Sequence, residues 1–266
     1  MRRRPSSFVE RALLGMLLLV RSSAFSMIQE PLTKSLSAAT LLKSPAEAAK
    51  RNVWEVLVPA MWENERYLDV TVHWTSDEGC FLAAEKCVAA IQEQLPIYKR
   101  LAWVPRKDDV KKGLASSMQS FVAFCSEHLL LPKGFKARLV CGRGVSSAKC
   151  PRWHVDQVPV RYIQTLVGPG CQYLDCQGPL MNLNEITEED DQPNNAEENT
   201  SSSLHDYVDR LIQLHPEYVK QTREGDAVIL VGNEWGDRTV QPCIHKSPSG
   251  LKPWDGRILF TIDVIC

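Results

Sequence analysis

A chain of 266 residues with 44% hydrophobic content can bury the core of one medium-sized domain and still carry appendages. Its 31 basic and 32 acidic side chains leave a formal charge of -1, which removes the electrostatic footprint expected of a nucleic-acid-binding protein. Nine scattered cysteines without a Cys-x-x-Cys pair read as buried thiols in a reducing compartment rather than as a disulfide framework or a structural zinc site.

The N-terminal stretch MRRRPSSFVERALLGMLLLVRSSAFS sets three arginines before a nine-residue apolar core, Ala12 to Val20, and then the small residues Ser22 and Ala24. That is the three-part form of a signal peptide over residues 1–24. The core is shorter than the roughly 20 residues a bilayer span needs, so no stable membrane span is expected. SSAFS resembles the Ala-Phe junction of plastid preproteins in algae with complex plastids. Residues 25–51, rich in Ser, Ala and Lys and poor in acids, read equally well as a following transit peptide and as a plain amphipathic helix or linker. The chain is expected to enter the secretory route, bound for a plastid; secretion and a cytoplasmic location are the alternatives.

A single α+β domain is expected over residues 52–266. NVWEVLVP is a short strand candidate, and CFLAAEKCVAAIQEQL (80–95) has apolar residues at helical spacing. Residues 106–131 repeat the pattern, with Val110, Leu114, Met118, Phe121, Val122 and Cys125 on one core-facing stripe and His128 as a capping or surface residue. After the Pro132-Lys133-Gly134 break the signals turn to short strands separated by Gly and Pro, so the order predicted is helices first and a β-rich core from about 134. Residues 184–203 carry seven acids and no base, which predicts a disordered loop. The acids lack the ligand spacing of a calcium loop, and the sequon Asn199-Thr200-Ser201 inside it matters only in a secreted chain. LHDYVDRLIQLHPEYVK then predicts a helix with Tyr207, Leu211 and Leu214 on one side and His205 and His215 at the surface.

DAVILVG, PCIH and GRILFTIDV are strand candidates. In the last, Ile258, Phe260, Ile262 and Val264 take one face and Arg257, Leu259, Thr261 and Asp263 the other. An arginine facing the same way as a threonine four residues on is costly to bury unless an anion lies between them, and a carboxylate would satisfy both.

The chemistry gathers around CPRWHVDQVPVRYIQTLVGPG, residues 150–170. On a strand, His154 and Asp156 would project from one face with their tips close enough to share an ion. An isolated His-x-Asp is more often a polar pair at a strand end; a second histidine on a distant strand, His245, changes that reading. Together His154, Asp156 and His245 make a two-histidine, one-carboxylate triad, the donor set of non-haem Fe(II) oxygenases.

The order His-x-Asp, apolar strand, Gly-x-Gly turn, Gly-Asp strand, His-x-x-Pro, Gly-Arg and final strand resembles 2-oxoglutarate-dependent oxygenases, particularly prolyl-hydroxylase-like ones. More closely, CPRWHVDQVPVRYIQTLVGPG with HKSP and GRILFTID is similar to the domain-of-unknown-function 1826 family, over about residues 52–266. The oxygenase resemblance implies N-terminal helices packed on a C-terminal double-stranded β-helix, a cupin-like or jelly-roll-like core. It also implies iron held by His154, Asp156 and His245, and 2-oxoglutarate gripped by Arg257 and Thr261 at its distal carboxylate. Tyr162 is the candidate for the tyrosine that often assists the cosubstrate. Arg161 either contacts substrate or cosubstrate or makes a structural salt bridge. The substrate expected is a small molecule or peptide, and the chain a monomer or weak dimer. The alternatives are a cupin-like protein holding zinc or another divalent ion for storage, sensing or transfer, and a β-sandwich interaction module without metal.

Overall fold

A computed structural model describes residues 38–42, 54, 57, 68–128, 132–148, 150–175, 204–236 and 240–266. The signal-peptide reading, most of the transit-peptide segment and the acidic loop with its sequon lie outside these residues. In chain order the strands and helices are β1 (Ala39–Leu42), β2 (Leu68–Thr75), α1 (Cys80–Gln94), α2 (Ile97–Trp103), α3 (Lys107–Glu127), β3 (Gly134–Arg143), β4 (Val160–Val167), β5 (Gln172–Leu174), α4 (Leu204–Leu214), β6 (Val219–Gln221), β7 (Ala227–Val231), β8 (His245–Lys246) and β9 (Gly256–Ile265). They form a six-stranded sheet in the order β1-β7-β4-β9-β3-β2 and a three-stranded sheet in the order β6-β5-β8. Every pairing between these strands is antiparallel.

The alternation predicted for β9 holds. Ile258, Phe260, Ile262 and Val264 are all buried, and Phe260 meets the Tyr162 ring edge-on. On the same side Phe121 of α3 packs against Phe135 and Tyr162. A buried polar network runs beneath this layer: Ser117 Oγ and Tyr162 OH both donate to Gln164 Oε1, at 2.7 and 3.1 Å. The opposite face of the large sheet contributes Ile163, Val228 and Leu230 to an apolar cluster with Cys171, Tyr173 and Cys243 of the small-sheet region. The small sheet therefore covers the β7–β4 half of that face. At the β3–β2 half, Asp69, Thr71 and His73 lie opposite Val140, Arg138 and Lys136, with Thr71 and His73 exposed. Beyond the small sheet, Val208 and Leu211 of α4 pack with Trp153, Leu174 and Ile244.

Several expectations need correction. Within NVWEVLVP the two described residues, Trp54 and Leu57, are helical and buried rather than extended. Strands do not wait until residue 134, because β2 precedes the helices and β1 lies inside the segment 25–51; both are paired into the large sheet. On α3 the stripe carries Val110, Leu114, Met118, Phe121 and Cys125 as expected, but Val122 is only half-buried and Phe124 is buried in its stead. On α4 the anchor is Val208, fully buried, whereas Leu214 is 74% exposed. His128 is the C-cap of α3, its ring against Phe124. Among the described residues no helix is long and apolar enough to cross a membrane.

Candidate metal centre

His154 and His245 lie at an isolated antiparallel bridge, where each backbone N–H donates to the other's carbonyl at 3.0 and 2.9 Å. That bridge fixes both Cα positions without help from the side chains. His154 is not inside a regular strand as expected, and Asp156 follows in the loop leading to β4. The result is still convergence, since ligand atoms of His154, Asp156 and His245 all lie within 4.8 Å of one another.

Each imidazole spends its Nδ1 on a carbonyl two residues back: His154 on Arg152 O at 2.9 Å, His245 on Cys243 O at 3.2 Å. In the neutral ring, with Nδ1–H donating, each Nε2 is left bare toward the centre, the tautomer a metal requires. Asp156 Oδ2 lies 3.1 Å from His245 Nε2, and Oδ1 lies 3.7 Å from His154 Nε2. Oδ2 is buried without a hydrogen-bond partner. A proton on one of the two groups, or a metal cation between them, would satisfy that oxygen. Two imidazoles and a carboxylate gathered this closely fit a divalent ion. Burial pushes the Asp156 carboxyl upward, but the His245 contact, with the charges of Arg161 and His154, outweighs it and holds the group below the usual carboxylate range. The Cys150 thiol hydrogen-bonds the His154 ring, raising the histidine and lowering the cysteine.

Arg161 braces the carboxylate. Its Nη1 donates to Asp156 Oδ1 at 2.5 Å, while Nε and Nη2 grip both oxygens of Asp263 at 2.6 and 2.9 Å. These contacts make a structural salt bridge of Arg161, which also lines the cavity beside the centre, and Asp263 is a partner that local sequence pattern does not disclose. On the far side Asn233 N donates to Asp156 O, and Gly232 passes so close that a Cβ there would collide with Val158 O. Gly232→Ala must push the Asp156 loop off the bridge. The expected result is a destabilisation of about 1–3 kcal/mol, seen as a lower melting midpoint, together with weaker metal binding. A variant that melts and binds metal like the parent would show that the loop gives way freely.

From the triad a cavity of about 140 Å³ runs between the sheets, walled by Val140, Ile163, Leu259 and Thr261 among others. Arg257 lines it and is 1% exposed. It belongs to β9 and not to the preceding loop, so the long spacing from His245 does not displace it. Its Nε donates to Pro169 O at 3.0 Å and its Nη1 to Ser147 O at 3.3 Å; no acid among the described residues pairs with it. Burial, opposed by the nearby Cys171, brings its guanidinium down to about 10. Tyr162, by contrast, faces the other side of β4 among Phe121 and Phe260, and takes no part in this cavity.

A family model for proteins of unknown function, DUF1826, matches residues 63–263. No curated protein matches the chain. Solved structures similar to it include a rice dioxygenase for auxin oxidation, 12% identical, with TM-score 0.46, covering 86% of this chain and 74% of that one. Another is a full-length Neurospora crassa protein in complex with alpha-KG and 5-formyluracil, 11% identical, TM-score 0.40, covering 86% and 74%. A third is a Pseudomonas putida prolyl-4-hydroxylase, 10% identical, TM-score 0.36, covering 87% and 94%.

Proposed function

This chain belongs to the DUF1826 family, and from that premise we propose that it is a non-haem Fe(II), 2-oxoglutarate-dependent oxygenase of the hydroxylase kind. The observation that carries the reading is the pairing of an orphaned buried carboxylate oxygen, Asp156 Oδ2, facing His245 Nε2, with a buried guanidinium, Arg257, that has no acidic partner among the described residues. One needs a cation and the other an anion, in the same cavity region. In this reading the two antiparallel sheets are the halves of a double-stranded β-helix.

His154, Asp156 and His245 would hold the iron, which when bound supplies dioxygen activation coupled to decarboxylation of 2-oxoglutarate to succinate. Arg257 receives the distal carboxylate through its free Nη2, with the Thr261 hydroxyl on the same strand face. Arg161, anchored on Asp263, keeps Asp156 turned toward the two imidazoles. Ile163, Leu259 and Val140 exclude water from the cavity wall. The primary substrate is a small molecule or peptide. The residues ahead of β1 would deliver the chain to the secretory route and onward to a plastid.

A cupin-like zinc or iron carrier is the second reading, favoured by the same donor set, since two imidazoles and one carboxylate also suit zinc. Metal analysis of anaerobically purified protein, coupled to a succinate assay, separates the two. Stoichiometric iron with 2-oxoglutarate turned over to succinate supports the oxygenase; metal-loaded protein that leaves 2-oxoglutarate unconsumed gives first place to the carrier.

A further inference from the structure

We propose that the open flank of the cavity, where β3 runs beside β2, binds the anionic group of the primary substrate on Lys136, that group being the carboxylate or phosphate of a small molecule; this rests on the oxygenase reading above.

The cavity is lined by five cations, Lys136, Arg138, Arg161, Lys246 and Arg257, and among the described residues by one acid, Asp263. Most of that positive charge is already committed. Arg161 holds Asp156 and Asp263, Arg138 grips both oxygens of Asp69, and the Lys246 ammonium lies over the Trp153 ring, 4.5 Å from its centroid. Arg257 serves the cosubstrate. Lys136 is left, half-buried, with no acid or hydrogen-bond partner among the described residues although its backbone stands directly opposite Asp263. A divalent ion and the two carboxylates of 2-oxoglutarate cancel each other's charge, so filling both sites does not neutralise this lysine.

Register supplies the distance. Lys136 pairs with Asp263, and Asp263 pairs with Arg161, so the three lie in one row across adjacent strands. Two strand spacings put Lys136 about 10 Å from the arginine that braces the metal carboxylate, a span suited to a small acid with its reacting carbon near the metal. The row ends in His73 on β2, exposed beside Lys136 on the half that the small sheet leaves uncovered. That half is an approach open to solvent.

The test uses the full chain, isotopically labelled and free of metal, titrated with inorganic phosphate and with acetate while the amides of residues 134–138 are followed by NMR. The manganese-loaded, 2-oxoglutarate-saturated protein is titrated in parallel, with relaxation of the phosphorus or methyl signal reporting proximity to the ion. One of the two anions should bind with shifts centred on Lys136, phosphate marking a phosphorylated substrate and acetate a carboxylic acid. Lys136→Glu should weaken it by roughly tenfold or more, and Lys136→Gln less so, with manganese affinity unchanged. Equal binding to the parent and Lys136→Glu, or no shift in the parent with either anion, overturns the proposal. Failure of the oxygenase reading shows separately, as a parent that takes up neither manganese nor 2-oxoglutarate while the amide titration still reads Lys136.

Discussion

Alanine at His154, Asp156 or His245 should abolish metal binding and leave the fold standing. Loss of an outer partner of a metal ligand already costs about 10–100-fold in affinity, and loss of a ligand costs more. The fold survives because none of the three side chains holds it together: the His154–His245 bridge is made by backbone groups, and Arg161 keeps both Asp263 oxygens when Asp156 is gone. Stability should move by no more than about 1–2 kcal/mol in the metal-free protein. Metal titration followed by optical or fluorescence change, beside thermal melts monitored by circular dichroism, reads both quantities. Three variants that bind iron like the parent would dismiss the centre outright.

In the oxygenase reading, Arg257→Ala should leave metal affinity nearly unchanged and remove most 2-oxoglutarate binding. A charge-assisted contact made in a buried site is worth on the order of 2–5 kcal/mol, which is tens- to thousands-fold in dissociation constant. Lysine should rescue only partly, because an ammonium does not reproduce the planar fork that reaches Pro169 O, Ser147 O and a carboxylate together. Calorimetry of 2-oxoglutarate on manganese-loaded protein gives the comparison. If the alanine variant binds the cosubstrate as tightly as the parent, Arg257 serves only the two carbonyls it already touches.

The parts legible in the sequence are those with strong periodicity or unusual chemistry. β9 declares itself by strict alternation, α3 by its stripe, and the triad by residue types that seldom fall into such spacing. What stays hidden depends on register. That Arg161 answers Asp263 follows from β4 pairing with β9, a contact 102 residues away along the chain that no local pattern encodes. The same holds for Arg138 with Asp69 and for the solitary Lys136. Tyr162 looks available beside Arg161, but adjacent strand residues face opposite ways, so the position that braces Asp156 turns its neighbour into the Phe121 layer. The local backbone at His154 escapes sequence reading because a two-way bridge with one partner residue resembles a strand in sequence without being one.

The short strand β1 has a bearing on how far the chain can be shortened from its N-terminal side. It pairs residue for residue with β7, and Ala38 O accepts from Val231 N at 3.0 Å. Strand β7 reads AVILV, is buried throughout, and has no charge or proline to discourage a stranger. Its partner on that side is the four residues of β1. Removal of the residues ahead of Ala38 leaves the edge sealed, whereas removal of only about five more bares a flat apolar strand that invites intermolecular pairing and precipitation. The sheet thus sets a limit on how much of the N-terminal side the fold can lose.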